Sequence, residues 1–183
     1  MHETSLGGTL TDYLSGEARD RTTYEDLRQA LARYLVEDKG YPRSSLTARF
    51  PVEYAVDGLK RSREADLAVG GRDGLRLMLL FCPGQVHPFA RESVAMARLA
   101  LPVPSPLVVV TDMREAELIS VRSGEVLARG MSSIPGPTEL DALARDNEIS
   151  GLQDDRRDKE SRILHAYTGL LKDCCSAVCR LPE

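Results

Sequence analysis

The chain has 183 residues, of which 42% are hydrophobic and 28% charged, as is ordinary for one globular domain with a sizeable core. A net charge of -4, a low aromatic share of 5% and the lack of tryptophan argue against a dedicated nucleic-acid binder and against a base-stacking platform for single strands. No apolar run approaches the roughly 18 residues of a membrane span, and the first residues do not resemble a signal peptide, so we expect a cytoplasmic protein without a membrane partner.

The N-terminal part is predicted to contain an irregular segment followed by a helix. Residues 1–21 are polar and turn-rich, and we expect them to form an irregular lead-in. Residues 24–38 follow the period of an amphipathic helix, Thr22 and Glu25 have the spacing of a capping box, and Gly40 ends the helix. The apolar stripe of this helix comprises Leu27, Ala30, Leu31, Tyr34 and Leu35.

Strand-like segments dominate the middle of the chain. The run "LRLMLLF" (75–81) is almost continuously apolar, which is typical of a central strand that is covered on both faces. We expect the short strand "ADLAV" (65–69) beside it, and the helix of residues 24–38 packed against the sheet. Further strands are predicted at 46–56 and 107–111 and in a hairpin formed by "AELISV" and "EVLA".

Helical segments separate and follow these strands. One is "FARESVAMARLAL" (89–101), and two more, "TELDALARD" and "DKESRILHAYTGLLKDCCSAV", follow the Pro/Gly break "SSIPGP". The order of elements predicts an α/β fold with a mixed sheet flanked by helices. We expect residues 22–140 to form the core and residues 141–183 to form C-terminal helices that pack on it.

The four cysteines are Cys82, Cys174, Cys175 and Cys179. In a reducing cytoplasm we expect them to be free thiols. Cys175 and Cys179 are one helical turn apart, which is a spacing that zinc ligands use. No paired histidine or second close cysteine pair accompanies them, so the prediction is free thiols without zinc.

Several segments together resemble a known family. They are "LTDYLSGE", "YEDLRQALARYLVEDKGYP", "READLAV", "VVVTD" and "SGEVLARGMSSIP", in this order, with the apolar strand between the third and the fourth. The layout resembles the PD-(D/E)xK nuclease superfamily. More narrowly, it resembles the N-terminal domain of the restriction subunit of type I restriction enzymes, over about residues 10–140. The resemblance implies a restriction-endonuclease-like core with a metal-dependent site.

The resemblance also assigns roles to individual residues. A metal-dependent phosphodiesterase holds Mg²⁺ with carboxylates, and the metal activates water and offsets charge in the transition state. By resemblance, Glu25 on the first helix and Asp66 on the following strand are the metal ligands. The next strand should end in Glu-x-Lys, but Phe81 and Pro83 occupy those two places. The chain therefore lacks one ligand and the catalytic lysine of the family pattern.

Each candidate residue has an alternative role. Glu25 can be only the acidic partner of its capping box, and Asp66 can pair with the basic residues of "LKRSR" (59–63). Arg91 and Glu92 can be exposed helix charges. Alternatively, they replace the missing lysine and carboxylate, because sites of this kind can shift such groups onto the adjacent helix.

Three functions follow as hypotheses. The first is a degenerate, non-catalytic nuclease-fold protein without a cofactor, a binding or scaffold module with weak affinity for DNA. The second is a Mg²⁺-dependent DNA endonuclease with a migrated site, in which Glu25 and Asp66 bind the metal and Glu92 and Arg91 supply the missing groups. The third is a structural protein that pairs with a protein partner or forms a homodimer. If the site has decayed, we expect Phe81 to fill it with apolar surface.

Overall fold

A computed structural model describes residues 5–71, 74–82 and 84–177. The strands are β1 (Ser5–Thr11), β2 (Ala18–Thr22), β3 (Leu46–Val56), β4 (Leu59–Gly71), β5 (Gly74–Phe81), β6 (Leu107–Thr111), β7 (Ala116–Ser120) and β8 (Val126–Arg129). The helices are α1 (Thr23–Arg33), α2 (Ala90–Leu99), α3 (Pro137–Asp146) and α4 (Asp154–Ala177), with a π-helical turn at Tyr34–Asp38 and short 3-10 turns at Arg43–Ser45, His87–Phe89 and Met131–Ser133.

Strands β3 to β8 form one mixed sheet in the order in which they occur along the chain. Neighbouring strands are antiparallel except β5 and β6, which are parallel and are joined by α2. Strand β5 lies inside the sheet, and its residues 77–81 are buried. The predicted central strand at residues 75–81 is therefore confirmed, as is the hairpin of β7 and β8.

Helices cover both faces of the sheet. Because side chains alternate along a strand, Leu77 and Leu79 of β5 pack on one face with Leu31 of α1, while Met78 and Leu80 pack on the other. The first face also contacts α3, and the second contacts α2 and α4. The continuous apolar run in β5 is explained by this double coverage, and the predicted α/β fold with helices flanking a mixed sheet is confirmed.

Two segments differ from the prediction. Residues 1–21 were expected to be irregular, but β1 pairs with β2, which extends to Thr22, in an antiparallel hairpin. Its strands are polar and mostly exposed, so they lack the alternating burial that identifies a strand in a sequence. Strand β4 begins at Leu59, six residues before the predicted start at residue 65. Its first residues pair with β3 in an exposed, charged hairpin, which explains why they lack a strand-like pattern.

The buried face of α1 is more polar than predicted. The Thr22 side chain accepts a hydrogen bond from Glu25 N at 3.0 Å, so the predicted N-cap is confirmed. Of the predicted apolar stripe, Leu31 and Leu35 are buried, but Ala30 is exposed. The buried residues of α1 are Glu25, Arg28, Gln29, Leu31 and Ala32. The first turns of this helix therefore cover the sheet with charged side chains.

The C-terminal part of the chain contains α4, which packs on α2 through Leu164. Over the described ranges, no helix is both long and apolar enough to cross a membrane. Cys82 is a buried free thiol. Cys179 lies outside the described residues, as do the side-chain contacts of Cys174 and Cys175, so the free thiols expected there stay a prediction. The predicted domain boundaries also stay a prediction.

Candidate functional site

The candidate site lies where β4 separates from β5, beneath the first turns of α1. The pairing of β4 with β5 runs from Gly71 to Leu67, and Asp66 is the next residue of β4. Asp66 Oδ2 accepts a hydrogen bond of 2.8 Å from the backbone N–H of Phe81, at the end of β5. The Asp66 carboxylate thus accepts a hydrogen bond from β5 where the backbone pairing of β4 and β5 ends. This hydrogen bond holds Asp66 beneath the first turns of α1.

Arg28 of α1 joins the two carboxylates predicted to bind metal. Its Nη2 and Nε atoms lie 3.1 and 3.3 Å from Asp66 Oδ1, and its Nη1 contacts Glu25 Oε2. The side chains of Arg28, Asp66 and Glu25 are 10%, 13% and 0% exposed, respectively. The structure therefore brings Glu25 and Asp66 together, as predicted, but through a buried guanidinium group.

Further donors complete the surroundings of Glu25. Gln29 Nε2 donates to Glu25 Oε1 at 2.7 Å, and the guanidinium of Arg49 contacts Glu25 Oε2. Gln29 also donates to Asp12 Oδ2 at 2.9 Å, which ties the turn of the β1–β2 hairpin to α1. The Glu25 side chain therefore holds this network together, and its carboxylate does not return to the helix N-terminus as a capping box would require.

Burial and hydrogen bonding affect the two carboxylates differently. Burial opposes the ionisation of Glu25, but hydrogen bonds from Gln29 and Arg49, with the charge of Arg28, hold its pKa below its usual range. For Asp66, burial is the stronger effect and raises the pKa, against the opposing effects of Arg28 and the Phe81 N–H. Glu25 is thus the firmly ionised member of the pair.

Phe81 occupies the place where the resemblance to the PD-(D/E)xK nucleases predicts a carboxylate. It is 8% exposed, and its ring meets the ring of Tyr24 edge to face, with centroids 5.4 Å apart. The next residue, Cys82, belongs to the apolar cluster on the opposite face of the sheet. The Phe81 and Cys82 side chains therefore point to opposite faces of the sheet, and both serve packing. Pro83 lies outside the described residues.

The two residues of α2 that were candidates for a migrated site point to different partners. Glu92 is 1% exposed and forms an ion pair with Arg63 of β4, so it is not an exposed helix charge. Arg63 is close enough to Asp66 to lower its pKa, which places Glu92 at the edge of the same network. Arg91 instead contacts Glu160 of α4, with 2.7 Å between Nη2 and Oε2.

The ion pairs bear on two of the alternative roles. Asp66 accepts hydrogen bonds from Arg28, and Arg63, one of the basic residues at 59–63, is also close enough to lower its pKa. Arg91 was expected to join the site if that site had migrated, but its partner Glu160 belongs to the packing of α2 on α4. In both cases the hydrogen-bonded partner is distant in sequence, and no local pattern marks it.

The donor set does not fit a hydrated Mg²⁺ ion. Magnesium needs near-octahedral oxygen ligands and keeps several waters. All four carboxylate oxygens of Glu25 and Asp66 accept hydrogen bonds or ion pairs from protein groups. Throughout the described part of the chain, no three His, Cys, Asp or Glu side chains are grouped as a metal site. In this arrangement a guanidinium group neutralises the carboxylates.

Sequence reasoning missed Arg28, Gln29 and Arg49. Arg28 and Gln29 follow Glu25 by three and four residues, so their place on the same helix face is visible from the spacing. The spacing does not show that this face is buried. Arg49 has a positive φ of 54°, at the point where β3 lies opposite Asp66 on β4. Its contact with Glu25 requires the folded sheet.

Comparisons with known proteins identify the family to which the chain belongs. Neither the curated proteins nor the solved structures include a match to the chain. Residues 23–135, which run from α1 to the loop before α3, match the family model described as "Type I restriction enzyme R protein N terminus (HSDR_N)". The matched range covers more than half of the chain and includes Glu25, Arg28 and Asp66. The chain therefore belongs to the family of type I restriction enzyme R protein N-terminal domains.

Proposed function

We propose that this protein is a PD-(D/E)xK-like domain without nuclease chemistry, which acts as a binding module. One observation carries the proposal, namely that the Arg28 guanidinium lies between Glu25 and Asp66. In a nuclease of this layout a divalent cation would lie between such carboxylates. Here a side chain of the protein supplies the positive charge.

Energetics favour the guanidinium over a metal. To bind between Glu25 and Asp66, a cation would have to displace Arg28 from two ion pairs, and breaking one buried pair costs roughly 3–5 kcal/mol. The released guanidinium would also need a new partner or access to water. A magnesium ion would gain only two carboxylates, each of which also accepts a hydrogen bond from another protein group.

The end of β5 supports the same proposal. Phe81 cannot ligate a cation, and it is packed against Tyr24. Removing a single electrostatic group from an active site costs roughly 3–4 kcal/mol of transition-state stabilisation. The chain lacks both the carboxylate and the lysine of the family pattern at Phe81 and Pro83, so the expected loss of rate is several orders of magnitude.

The proposed partner is duplex DNA, bound weakly and without cleavage. Lys60 and Arg61 are exposed at the start of β4, beside the turn of the β3–β4 hairpin, and they present positive charge on a chain of net charge -4. Exposed cations at the end of a hairpin match the phosphate backbone and not a base sequence. The expected dissociation constant is that of non-specific binding, on the order of 10⁻⁵ M at physiological salt.

A cleavage assay with a matched variant tests the proposal. Supercoiled plasmid is incubated with the protein in Mg²⁺ and then in Mn²⁺, beside Asp66→Asn, which keeps the size of the side chain but removes its charge. We expect the wild type and the variant to give the same background. Cleavage by the wild type that Asp66→Asn abolishes would overturn the proposal and establish the alternative, a Mg²⁺-dependent endonuclease.

The DNA-binding part has its own test. Fluorescence anisotropy with a labelled duplex should show weak binding that decreases as salt rises, since each neutralised phosphate releases counterions. The variant in which Lys60 and Arg61 are both replaced by glutamine should bind more weakly and with a shallower salt dependence. A control with Arg129→Gln, an exposed residue of β8, should bind as the wild type does. Equal binding by all three proteins would refute the proposed surface.

A further inference from the structure

A groove lies between the β3–β4 hairpin and the first turns of α4. It has a volume of about 530 Å³, and the loop that follows α2 contributes Leu101 to its wall. Arg162 of α4 donates a hydrogen bond of 3.2 Å to Asp57 Oδ1 at the turn of the hairpin, so the helix and the hairpin lie side by side. The lining includes Tyr54, which belongs to the apolar cluster that contacts α2 and α4. The groove is therefore on the α2 and α4 side of the sheet.

Strand pairing directs the Arg61 side chain toward this groove. Arg61 lies opposite Tyr54 in the pairing of β3 with β4, and the side chains of opposite residues point to the same face. Tyr54 is buried on the α2 and α4 side. Because side chains alternate along a strand, Lys60 and Glu53 point to the other face. The Glu53 carboxylate is thus on the side of Lys60, and the guanidinium of Arg61 is on the side of the groove.

The period of α4 directs Arg157 toward the same groove. Residues three, four and seven positions apart share one face of a helix. The residues at these positions after Arg157 are all buried, namely Glu160, Ser161 and Leu164. Arg157 is therefore at the outer end of the packed face of α4, where it is partly buried and lines the groove.

The two guanidinium groups are not engaged by carboxylates of the described residues. Within the ranges that the structure describes, neither Arg61 nor Arg157 forms an ion pair or a side-chain hydrogen bond. Glu160, on the same face of α4, is held by two other arginines at 2.7 Å each. Asp154 and Asp158, which are near Arg157 in the sequence, are exposed and do not line the groove. Two cations thus face the groove from its two walls, and each is available to an anionic ligand.

An exposed leucine adds apolar surface to the groove. Leu101 is 51% exposed although its side chain is large and hydrophobic. A DNA backbone alternates anionic phosphates with sugars, whose carbon atoms are apolar, so guanidinium groups and a leucine together match it. Contacts of this kind fix the position of a protein on DNA and carry no sequence information.

From these contacts we propose that the groove holds the phosphate backbone of the bound DNA. Arg61 and Arg157 contact phosphates from opposite walls, since a guanidinium group can bind a phosphate through two parallel hydrogen bonds. Leu101 contacts the sugars, and Lys60, on the other face of the hairpin, is a flanking contact. The inference rests on the DNA binding proposed above, and it adds α4 and the loop after α2 to the binding surface.

The salt dependence of duplex binding measures the number of phosphate contacts. In anisotropy titrations with a labelled duplex, the logarithm of the affinity falls with the logarithm of the salt concentration, with a slope of about 0.9 for each phosphate contact. Arg157→Gln and Arg61→Gln should each weaken binding several-fold and reduce this slope by about 0.9. The matched control is Arg156→Gln, which should bind as the wild type does, because Arg156 is exposed next to Arg157 but lines a different cavity.

A carboxylate introduced at Leu101 tests the groove without removing a cation. Leu101→Glu should weaken duplex binding at least about tenfold, because a charge of the same sign as the phosphates then lies in the groove. Leu127→Glu, at a leucine of β8 that is 43% exposed, should leave binding unchanged. Both leucines are exposed, so both variants should melt close to the wild type.

The outcomes separate this inference from the proposed function. Weaker binding by the Arg157 and Leu101 variants, with both controls unchanged, is the expected result. If the variant lacking Lys60 and Arg61 binds more weakly but Arg157→Gln and Leu101→Glu bind as the wild type does, the groove is overturned and the DNA binding stands. If the wild type shows no salt-dependent binding of the duplex, both proposals are overturned.

Discussion

Removal of the Arg28 guanidinium should cost a large part of the stability of the protein. In Arg28→Met the side chain keeps most of its length, but Glu25 and Asp66, which are 0% and 13% exposed, both lose an ion-pair partner. Breaking a buried pair in this way costs roughly 3–5 kcal/mol. Both carboxylates keep a hydrogen-bond donor, so we expect a value near the lower limit, about 3 kcal/mol. For a chain of this size, the melting temperature should fall by about 10 °C.

Thermal unfolding followed by circular dichroism measures this change. The matched control is Arg21→Met, because Arg21 forms a 3.2 Å ion pair with Asp26 in which the side chains are 52% and 37% exposed. An exposed pair contributes at most about 1 kcal/mol, so the control should melt within a few degrees of the wild type. Equal melting of both variants and the wild type would show that Arg28 is not essential to the network, and the argument against metal binding would fail.

A divalent cation gives the same variant a second readout. With the guanidinium absent, Glu25 and Asp66 can share a cation, so Mn²⁺ should raise the melting temperature of Arg28→Met but not that of the wild type. The double variant with Asp66→Asn should lose this response. A rise in the wild type as large as in Arg28→Met would contradict the proposal that Arg28 occupies the place of the metal.

Three further predictions concern Glu25, Cys82 and Phe81. The pKa of Glu25 is held below its ordinary value of 4.5, so the ionised side chain stabilises the protein fully above that pH, and this stabilisation is lost as the pH falls through the lowered pKa. The difference in melting temperature between the wild type and Glu25→Gln should therefore shrink from pH 7 to pH 3. A difference that grows as the pH falls would refute this. Cys82 is buried, and its pKa is raised to about 12, so its thiol should be unreactive in the native protein. In a variant with the other cysteines changed to serine, a thiol reagent should react with Cys82 only after unfolding in urea. Rapid reaction of the native variant would refute the burial. Phe81→Glu should destabilise the protein by at least about 3 kcal/mol in urea unfolding, since it removes the ring that contacts Tyr24 and buries a charge near Asp66. The control variant Phe81→Leu should lower the free energy of unfolding by less. A Phe81→Glu variant as stable as the wild type would indicate an open cleft.

The sequence determined most of the secondary structure of the sheet and its helices. Strand β5 is recognisable because both of its faces are covered, which requires an uninterrupted apolar run. Helix α1 is recognisable from its period and its N-cap at Thr22. These signals are local, since each depends on residues a few positions apart. The β1–β2 hairpin has no such signal, because its exposed strands bury little apolar surface.

The sequence also indicated Glu25 and Asp66 as a pair and Phe81 as the residue that interrupts the family pattern. Only the tertiary structure decided what neutralises the two carboxylates. Arg28 is three residues from Glu25 but 38 residues from Asp66, so its second ion pair exists only after α1 has packed over the end of β4. Likewise, β5 has a one-residue bulge at Arg76, and nothing in the local sequence predicts that bulge. Long-range ion pairs and strand register depend on how the elements pack together, and local residue patterns do not encode that packing.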